Sequence, residues 1–205
     1  MAMAWLQTRE NIMASGSTKI YQIKVTLRRS KPPIWRRLLV PGDVTLYDLH
    51  KIIQAAMGWM NCHLHQFIIG GEYYGIPSED DWEPMIDERK YRLAEIAPTE
   101  RSKFIYEYDF GDGWEHDVVV EKILPREPDG KYPYCLKGKR ACPPEDVGGI
   151  WGYEEFLKAM KDPTHEEHET YVEWWGGIFD PEDFDLERTN RRLQTIDEYE
   201  RWDEL

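Results

Sequence analysis

Between Phe104 and Val120 the chain alternates apolar with polar residues on both sides of a glycine turn, and this stretch restricts the fold more than any other. Successive strand residues point to opposite faces, so Phe104, Tyr106, Tyr108 and Phe110 share one face. Trp114, His116, Val118 and Val120 share the matching face of the return, with Gly111-Asp112-Gly113 between them. A two-residue Asp112-Gly113 turn would set Tyr108 opposite Asp117 and mix charge with apolar surface. A three-residue Gly111-Asp112-Gly113 loop instead pairs Phe110 with Trp114, Tyr108 with His116, Tyr106 with Val118 and Phe104 with Val120. The second leaves Asp109 facing Glu115 and Glu107 facing Asp117, at up to ~1 kcal/mol each, which aromatic packing exceeds. The expectation is the three-residue loop, with His116 on the aromatic face.

Earlier segments supply more strands. Ile20 to Leu27 alternates, Pro32-Pro33 breaks the chain, and Ile34 to Val40 reads as the return strand before Pro41-Gly42. Thr45, with Asp48 three residues later, marks a helix start; Leu46, Leu49, Ile52, Ile53, Ala56 and Met57 follow at helical spacing, and Gly58 is a natural stop. His63 to Ile69 and Glu72 to Ile76 read as a further hairpin around Gly70-Gly71. The start is therefore ββαββ, and the predicted class is α+β, with an antiparallel or mixed sheet, the later hairpin and C-terminal helices. Those helices are expected at Tyr153–Met160, Glu166–Trp175 and Leu186–Trp202. Residues 77–100 read as an acidic exposed loop with a helical turn at Leu93–Ile96, and Leu124 to Gly149 as a long ordered or functional loop.

With 205 residues, nine Trp and twelve Tyr, the chain can fill a core, which excludes a disordered acidic polymer. Residues 1–18 read as a leader or misplaced start, and 19–205 as one domain. No apolar run reaches the ~18–20 residues that span a bilayer. Cys62, Cys135 and Cys142 are too few for a disulfide scaffold. A cytoplasmic protein without a membrane partner is expected, as monomer or homodimer.

Charge is unevenly distributed. From Asn11 to Gly42 there is no acidic residue, and Lys19, Lys24, Arg28, Arg29, Lys31, Arg36 and Arg37 give +7. Arg9 and Glu10 cancel and the whole chain is −13, so residues after Gly42 carry −20. General coating of nucleic acid is disfavoured. A local phosphate contact through Arg28, Arg29, Arg36 and Arg37 is the sharper reading of the basic hairpin; a solvated strand pair whose charges meet acidic partners is the plainer one.

Four constellations could carry chemistry. His63 and His65, at i and i+2 of a strand, could offer two imidazoles to one metal, although packed or hydrogen-bonded histidines would look the same. Asp109, Asp112 and His116 surround a tight turn that could bind a cation or orient a base, or be a plain hairpin. Cys135 and Cys142 are spaced too widely for a zinc knuckle. Lys137, Lys139 and Arg140 would activate either thiol if they approached it, whereas packed reduced cysteines need no such role. Gly148-Gly149 leads into a helix, as an anion site or a simple joint would.

Together, Ile34-Trp35-Arg36-Arg37, Leu49-His50, Met57-Gly58-Trp59, His63-Leu64-His65-Gln66-Phe67, Tyr108 to His116, and Arg140-Ala141-Cys142-Pro143-Pro144-Glu145-Asp146 before Gly148-Gly149 and Gly152-Tyr153 resemble the family named after the third open reading frame of a root-inducing (Ri) plasmid. The resemblance runs from about Ile20 to about Leu193. It implies a one-domain α+β fold in a prokaryotic group found on plasmids and near insertion elements, without an established activity. In that family Pro-Pro-Glu-Asp is commonly followed by another cysteine. Val147 stands here, which argues against an obligatory cysteine-based metal site.

Two functions are carried forward. The first is an interaction module of mobile-element biology using the basic hairpin or the aromatic face. The second is a metal-dependent hydrolase, with a divalent ion on His63, His65 and His116 and with Asp109, Asp112, Glu145 or Asp146 as further ligand or general base. Convergence of the histidines with the Glu145-Asp146 loop separates them, and if His63, His65 and His116 lie apart this metal enzyme is ruled out.

Overall fold

The computed structural model describes residues 18–78 and 84–196. The element order is β1 (Ile20–Leu27), β2 (Trp35–Pro41), α1 (Leu46–Met57), β3 (His65–Ile69), β4 (Glu72–Gly75), β5 (Ile86–Asp87), a 3-10 turn (Glu88–Lys90), α2 (Leu93–Ile96), β6 (Lys103–Tyr108), β7 (Trp114–Leu124), β8 (Tyr134–Lys139), α3 (Gly149–Lys161), α4 (His168–Trp175) and α5 (Leu186–Gln194). The fold is α+β, with the ββαββ start, the later hairpin and the C-terminal helices. The eight strands lie in the order β5-β4-β3-β6-β7-β1-β2-β8. Neighbours run antiparallel except β4 and β5.

One sheet face is core and the other is wet, as strict alternation dictates. Ile23, Val25 and Leu27 of β1, Leu38 and Val40 of β2, Phe104, Tyr106 and Tyr108 of β6, and Trp114, His116, Val118 and Val120 of β7 are all buried. Helix α1 is tied to that face by hydrogen bonds from Gln54 Nε2 to Tyr106 Oη (2.8 Å) and from Arg36 Nε to Ala56 O (3.0 Å). It starts on the Thr45–Asp48 capping box and ends at Gly58 in the left-handed region, φ 104°. Such a cap contributes about 1 kcal/mol, less than the ~2–5 kcal/mol each buried Leu or Ile of the helix supplies relative to Ala. On the wet face, Arg37 grips Glu121 (2.6 and 2.8 Å), and Arg28 meets Asp117 (2.9 Å) and Glu115 (3.4 Å).

The structure corrects several expectations. The central hairpin pairs Tyr108 with Trp114, Tyr106 with His116 and Phe104 with Val118, two residues from the predicted register. The faces are as expected, because a two-residue shift keeps side-chain parity. The connection is five residues, Asp109 to Gly113, since Asp109 Oδ1 accepts the amides of Gly111 (3.0 Å) and Asp112 (3.3 Å) and folds the turn around itself. Phe110 therefore leaves the sheet and is exposed. The segment read as a loop from Leu124 to Gly149 contains β8, which pairs with β2. The acidic stretch is not wholly exposed, because Glu88 within it is fully buried. The third C-terminal helix ends at Gln194. The predicted continuation beyond residue 196 and the leader, apart from Thr18, lie outside the described residues. No helix among the described residues is long and apolar enough to cross a membrane.

Candidate functional site

Three separated segments meet beside the end of β6. Trp59 Nε1 donates to Pro143 O (3.0 Å), fastening the chain after α1 to the Pro143–Asp146 loop. That places Glu145 within reach of Met60 N (2.6 Å), Cys62 Sγ (3.3 Å) and Tyr108 Oη (3.1 Å), all of which donate to its carboxylate. Burial and the Glu145 charge push the Tyr108 pKa up, so its hydroxyl stays protonated and donates. The Cys62 thiol is likewise pushed up, by burial and then by Glu145.

His63 lies at the centre. Its Nε2 is 3.1 Å from Asp146 Oδ1, 3.5 Å from Glu145 Oε2 and 3.7 Å from Asp109 Oδ2. Although surrounded by carboxylates, Nε2 is enclosed and makes no hydrogen bond. Asp109 spends Oδ1 on the turn amides and leaves Oδ2 toward the imidazole. The ligand-type atoms of His63, Asp109 and Asp146 lie within 4.8 Å of one another, as do those of Cys62, His63 and Glu145. Ligands on one ion at ~2.0–2.3 Å have that spread. Among the described residues no Lys or Arg forms an ion pair with these three carboxylates.

The backbone is unusual at the same place. Asn61, Asp109 and Asp146 have φ of 58°, 55° and 58°. Asn and Asp tolerate the left-handed region better than other side-chain-bearing residues, and its cost concentrates at functional sites. The cluster opens to solvent on one side, where the Asp146 side chain is 68% exposed against 11% for Asp109 and 9% for Glu145.

The other candidates lie elsewhere. His65 is the first residue of β3, with His63 ahead of the strand, so the same-face spacing does not apply. The His65 ring turns to Glu88, with Nε2 at 2.9 and 3.1 Å from the carboxylate oxygens, and stacks on His50. His50 belongs to a closed network. Burial raises the Tyr106 pKa well above its ordinary value, so Tyr106 donates to His50 Nδ1 (2.8 Å) and His50 Nε2 donates to Asn61 Oδ1 (2.6 Å). His116 is fully enclosed, edge-on to Trp59, and burial lowers its pKa to about 4. The three histidines thus do not form one ligand set, which overturns the expected three-histidine metal enzyme; of the three, His63 alone joins the Glu145-Asp146 loop.

Asp112 holds the first turn of α3, its Oδ2 accepting from Gly148 N at 3.2 Å. A side chain at Gly149, φ 67°, would strike the Asp112 carbonyl oxygen, so the paired glycines make a close helix-to-turn joint. Cys135 is buried, donates to Lys137 O, and has its pKa raised by burial to about 11, which makes it a packed thiol.

The arginines of the basic hairpin divide. Arg28 and Arg37 are engaged by Glu115, Asp117 and Glu121; Arg36 is buried; Arg29 is exposed, 3.6 Å from Glu115. Cys62, Tyr108 and Glu88 are members of these clusters that no motif marks as site residues. Adjacency of Cys62 to His63 was the available signal for the thiol; Glu88 had none within its acidic stretch.

The fold and this cluster define an α+β protein with an eight-stranded, mostly antiparallel sheet and a histidine–carboxylate group at one end of its central hairpin. The chain belongs to the plasmid pRiA4b ORF-3-like protein family, whose model matches residues 19–188. It is 42% identical over 158 residues to the uncharacterized protein y4hQ of Sinorhizobium fredii, covering 77% of this chain and 81% of the relative. It is also similar to the crystal structure of MM3350, a protein of unknown function from Methanosarcina mazei. That similarity has a TM-score of 0.76 at 43% identity and covers 83% of this chain and 97% of the other.

Proposed function

We propose that this chain binds a divalent transition-metal ion of the Zn2+ type through His63, Asp109 and Asp146, with Glu145 and Cys62 adjoining, and uses it for metal-assisted hydrolysis. The observation that carries the reading is His63 Nε2, enclosed among three carboxylates without a hydrogen bond. A mixed nitrogen, carboxylate and thiol donor set suits Zn2+ better than Mg2+ or Ca2+. The ion would activate water on the open side by Asp146, while Glu145, held by three donors, keeps its orientation. An interaction module built on the basic hairpin draws less support, because Arg28 and Arg37 already have carboxylate partners and Arg36 is buried.

The test is metal analysis of the full chain after chelation and reloading with Zn2+ or Co2+. One ion per chain is expected, with a Co2+ visible spectrum that His63→Ala abolishes and Cys62→Ser shifts. Absence of stoichiometric metal, or a spectrum unchanged by His63→Ala, overturns the site. Hydrolysis of generic ester and phosphoester substrates by the reloaded chain, lost with His63→Ala, tests the reaction class. Stoichiometric metal without turnover of either would reject the hydrolase while keeping the metal.

A further inference from the structure

Arg36, the second residue of β2, lies on the core side, 3% exposed. A guanidinium stays charged in a protein and carries five N–H donors. Here Nε donates to Ala56 O (3.0 Å), and Nη1 donates to Trp35 O (2.9 Å) and Lys139 O (3.1 Å). All three acceptors are neutral carbonyls. The flat face stacks on Phe184, with Cζ 4.5 Å from the ring centre. The two hydrogens of Nη2 have no acceptor among the described residues. The enclosed side-chain atoms without partners are His63 Nε2, His116 Nε2 and Tyr153 Oη, so Arg36 Nη2 is not sealed in. Arg36 lines a cavity beside this group. Buried charges are ordinarily paired, and this one lacks a carboxylate.

The cavity, about 390 Å³, lies between the end of α1, β2 and the α4–α5 segment. A second guanidinium, Arg192 on α5, also lines it and has no acidic partner among the described residues. Gly58 makes room for this group, since a side chain there would strike Arg192 Nη1. Asp180, Asp183 and Asp185 are on the wall too, but each is engaged. Asp180 accepts from Glu182 N (2.9 Å), Asp183 pairs with Arg188 (2.7 Å), and Asp185 caps α5 at Arg188 N (2.8 Å). Trp175, Phe179 and Phe184 supply apolar wall. Burial lowers the Arg36 pKa, opposed in part by the neighbouring Cys142 and Cys135 and reinforced slightly by the like charge of Arg192; no carboxylate contributes.

We propose that this cavity binds a small organic carboxylate, its head group shared between Arg36 Nη2 and Arg192 and its aromatic or aliphatic body against Trp175, Phe179 and Phe184. The volume falls within the ~300–1,000 Å³ of small-molecule sites and exceeds what a bare inorganic anion fills. Three aspartates on the wall disfavour a polyanion, whereas two guanidiniums facing one carboxylate make strong charge-assisted hydrogen bonds. The site is separate from the His63 cluster, so the two proposals fail independently.

The test uses the full chain with EDTA present, titrated with phenylacetate and hexanoate and followed by calorimetry and tryptophan fluorescence. The corresponding amides, inorganic phosphate and citrate serve as comparisons. Saturable binding of at least one carboxylate is expected, about tenfold or more tighter than its amide. Arg192→Gln should weaken it by a similar factor, Arg192→Lys by less, and Trp175→Ala should weaken phenylacetate specifically. Thermal midpoints identify any variant that has lost its fold; in that case the acid–amide comparison on the unaltered chain decides. Equal affinity for acid and amide, equal or tighter binding of phosphate or citrate, or no saturation by either carboxylate up to about 10 mM overturns the proposal.

Discussion

The imidazoles of His50 and His65 lie face to face, ring centres 3.3 Å apart and 2° from parallel, and the carboxylate of Glu88 holds the outer edge of the His65 ring. Glu88 is fully buried, and His65 is its side-chain partner among the described residues. Removing one partner of a buried pair strands the other. His65→Leu should therefore cost about 3–5 kcal/mol, and the His65→Leu, Glu88→Leu double variant should recover most of it. Urea denaturation of the two variants checks this; equal losses would show that packing rather than the stranded carboxylate dominates.

Asp109 has two separable tasks, turning the hairpin with one oxygen and facing His63 with the other. Asn can accept the turn amides and tolerates the positive φ, but it offers no anion. Asp109→Asn should thus shift the unfolding free energy by less than about 1 kcal/mol while weakening Zn2+ binding about tenfold or more. Asp109→Ala should lower both. Calorimetric Zn2+ titration and thermal melts of the same samples distinguish the two tasks.

His116 gives the fold an acid sensitivity of definite sign. Its pKa falls from 6.5 to about 4 on burial. Between those values the unfolded chain takes up a proton that the folded chain resists, so stability present above pH 6.5 is lost as pH falls toward 4. The contribution is about 3 kcal/mol, and His50, whose pKa is also lowered by burial, acts in the same direction. His116→Leu should flatten the decline, measured by denaturant unfolding at neutral pH and near pH 4.

The basic hairpin is neutralised from within its own sheet. Converting Glu115 to Gln and Asp117 to Asn would release Arg28 from both its carboxylate partners and Arg29 from Glu115. The double variant should bind duplex DNA more tightly than the parent at low salt, with a salt slope steeper by about one to two. Binding isotherms at several salt concentrations measure this, and an unchanged slope would show that the arginines were already free.

Locally encoded features were legible in the sequence, and those depending on chain-distant partners were not. The α1 cap rests on Thr45 and Asp48, three residues apart, and the faces of β6 and β7 rest on simple alternation. The hairpin register escaped because Asp109 acts through its side chain, which alternation does not read. Strand β8 escaped because Cys135 is its one buried residue, giving no periodic signal among prolines and glycines. At the site, His63, Asp109, Glu145 and Asp146 were each noted, but same-face spacing assigned the wrong histidine companions. His65 and His116 are claimed by Glu88 and by the core, relations set by tertiary packing.

The strand order has a kinetic consequence. Strand β1 lies between β2 and β7, pairing Ile20 with Leu124 and Leu27 with His116. During synthesis the opening hairpin emerges early, yet its inner edge cannot be covered until β7 leaves the ribosome. Closing so long a loop before its contacts reward it is slow. The unpaired edge of Ile23, Val25 and Leu27 is then the segment most exposed to association with another nascent chain, and the interval before Leu124 emerges is when a chaperone would matter most.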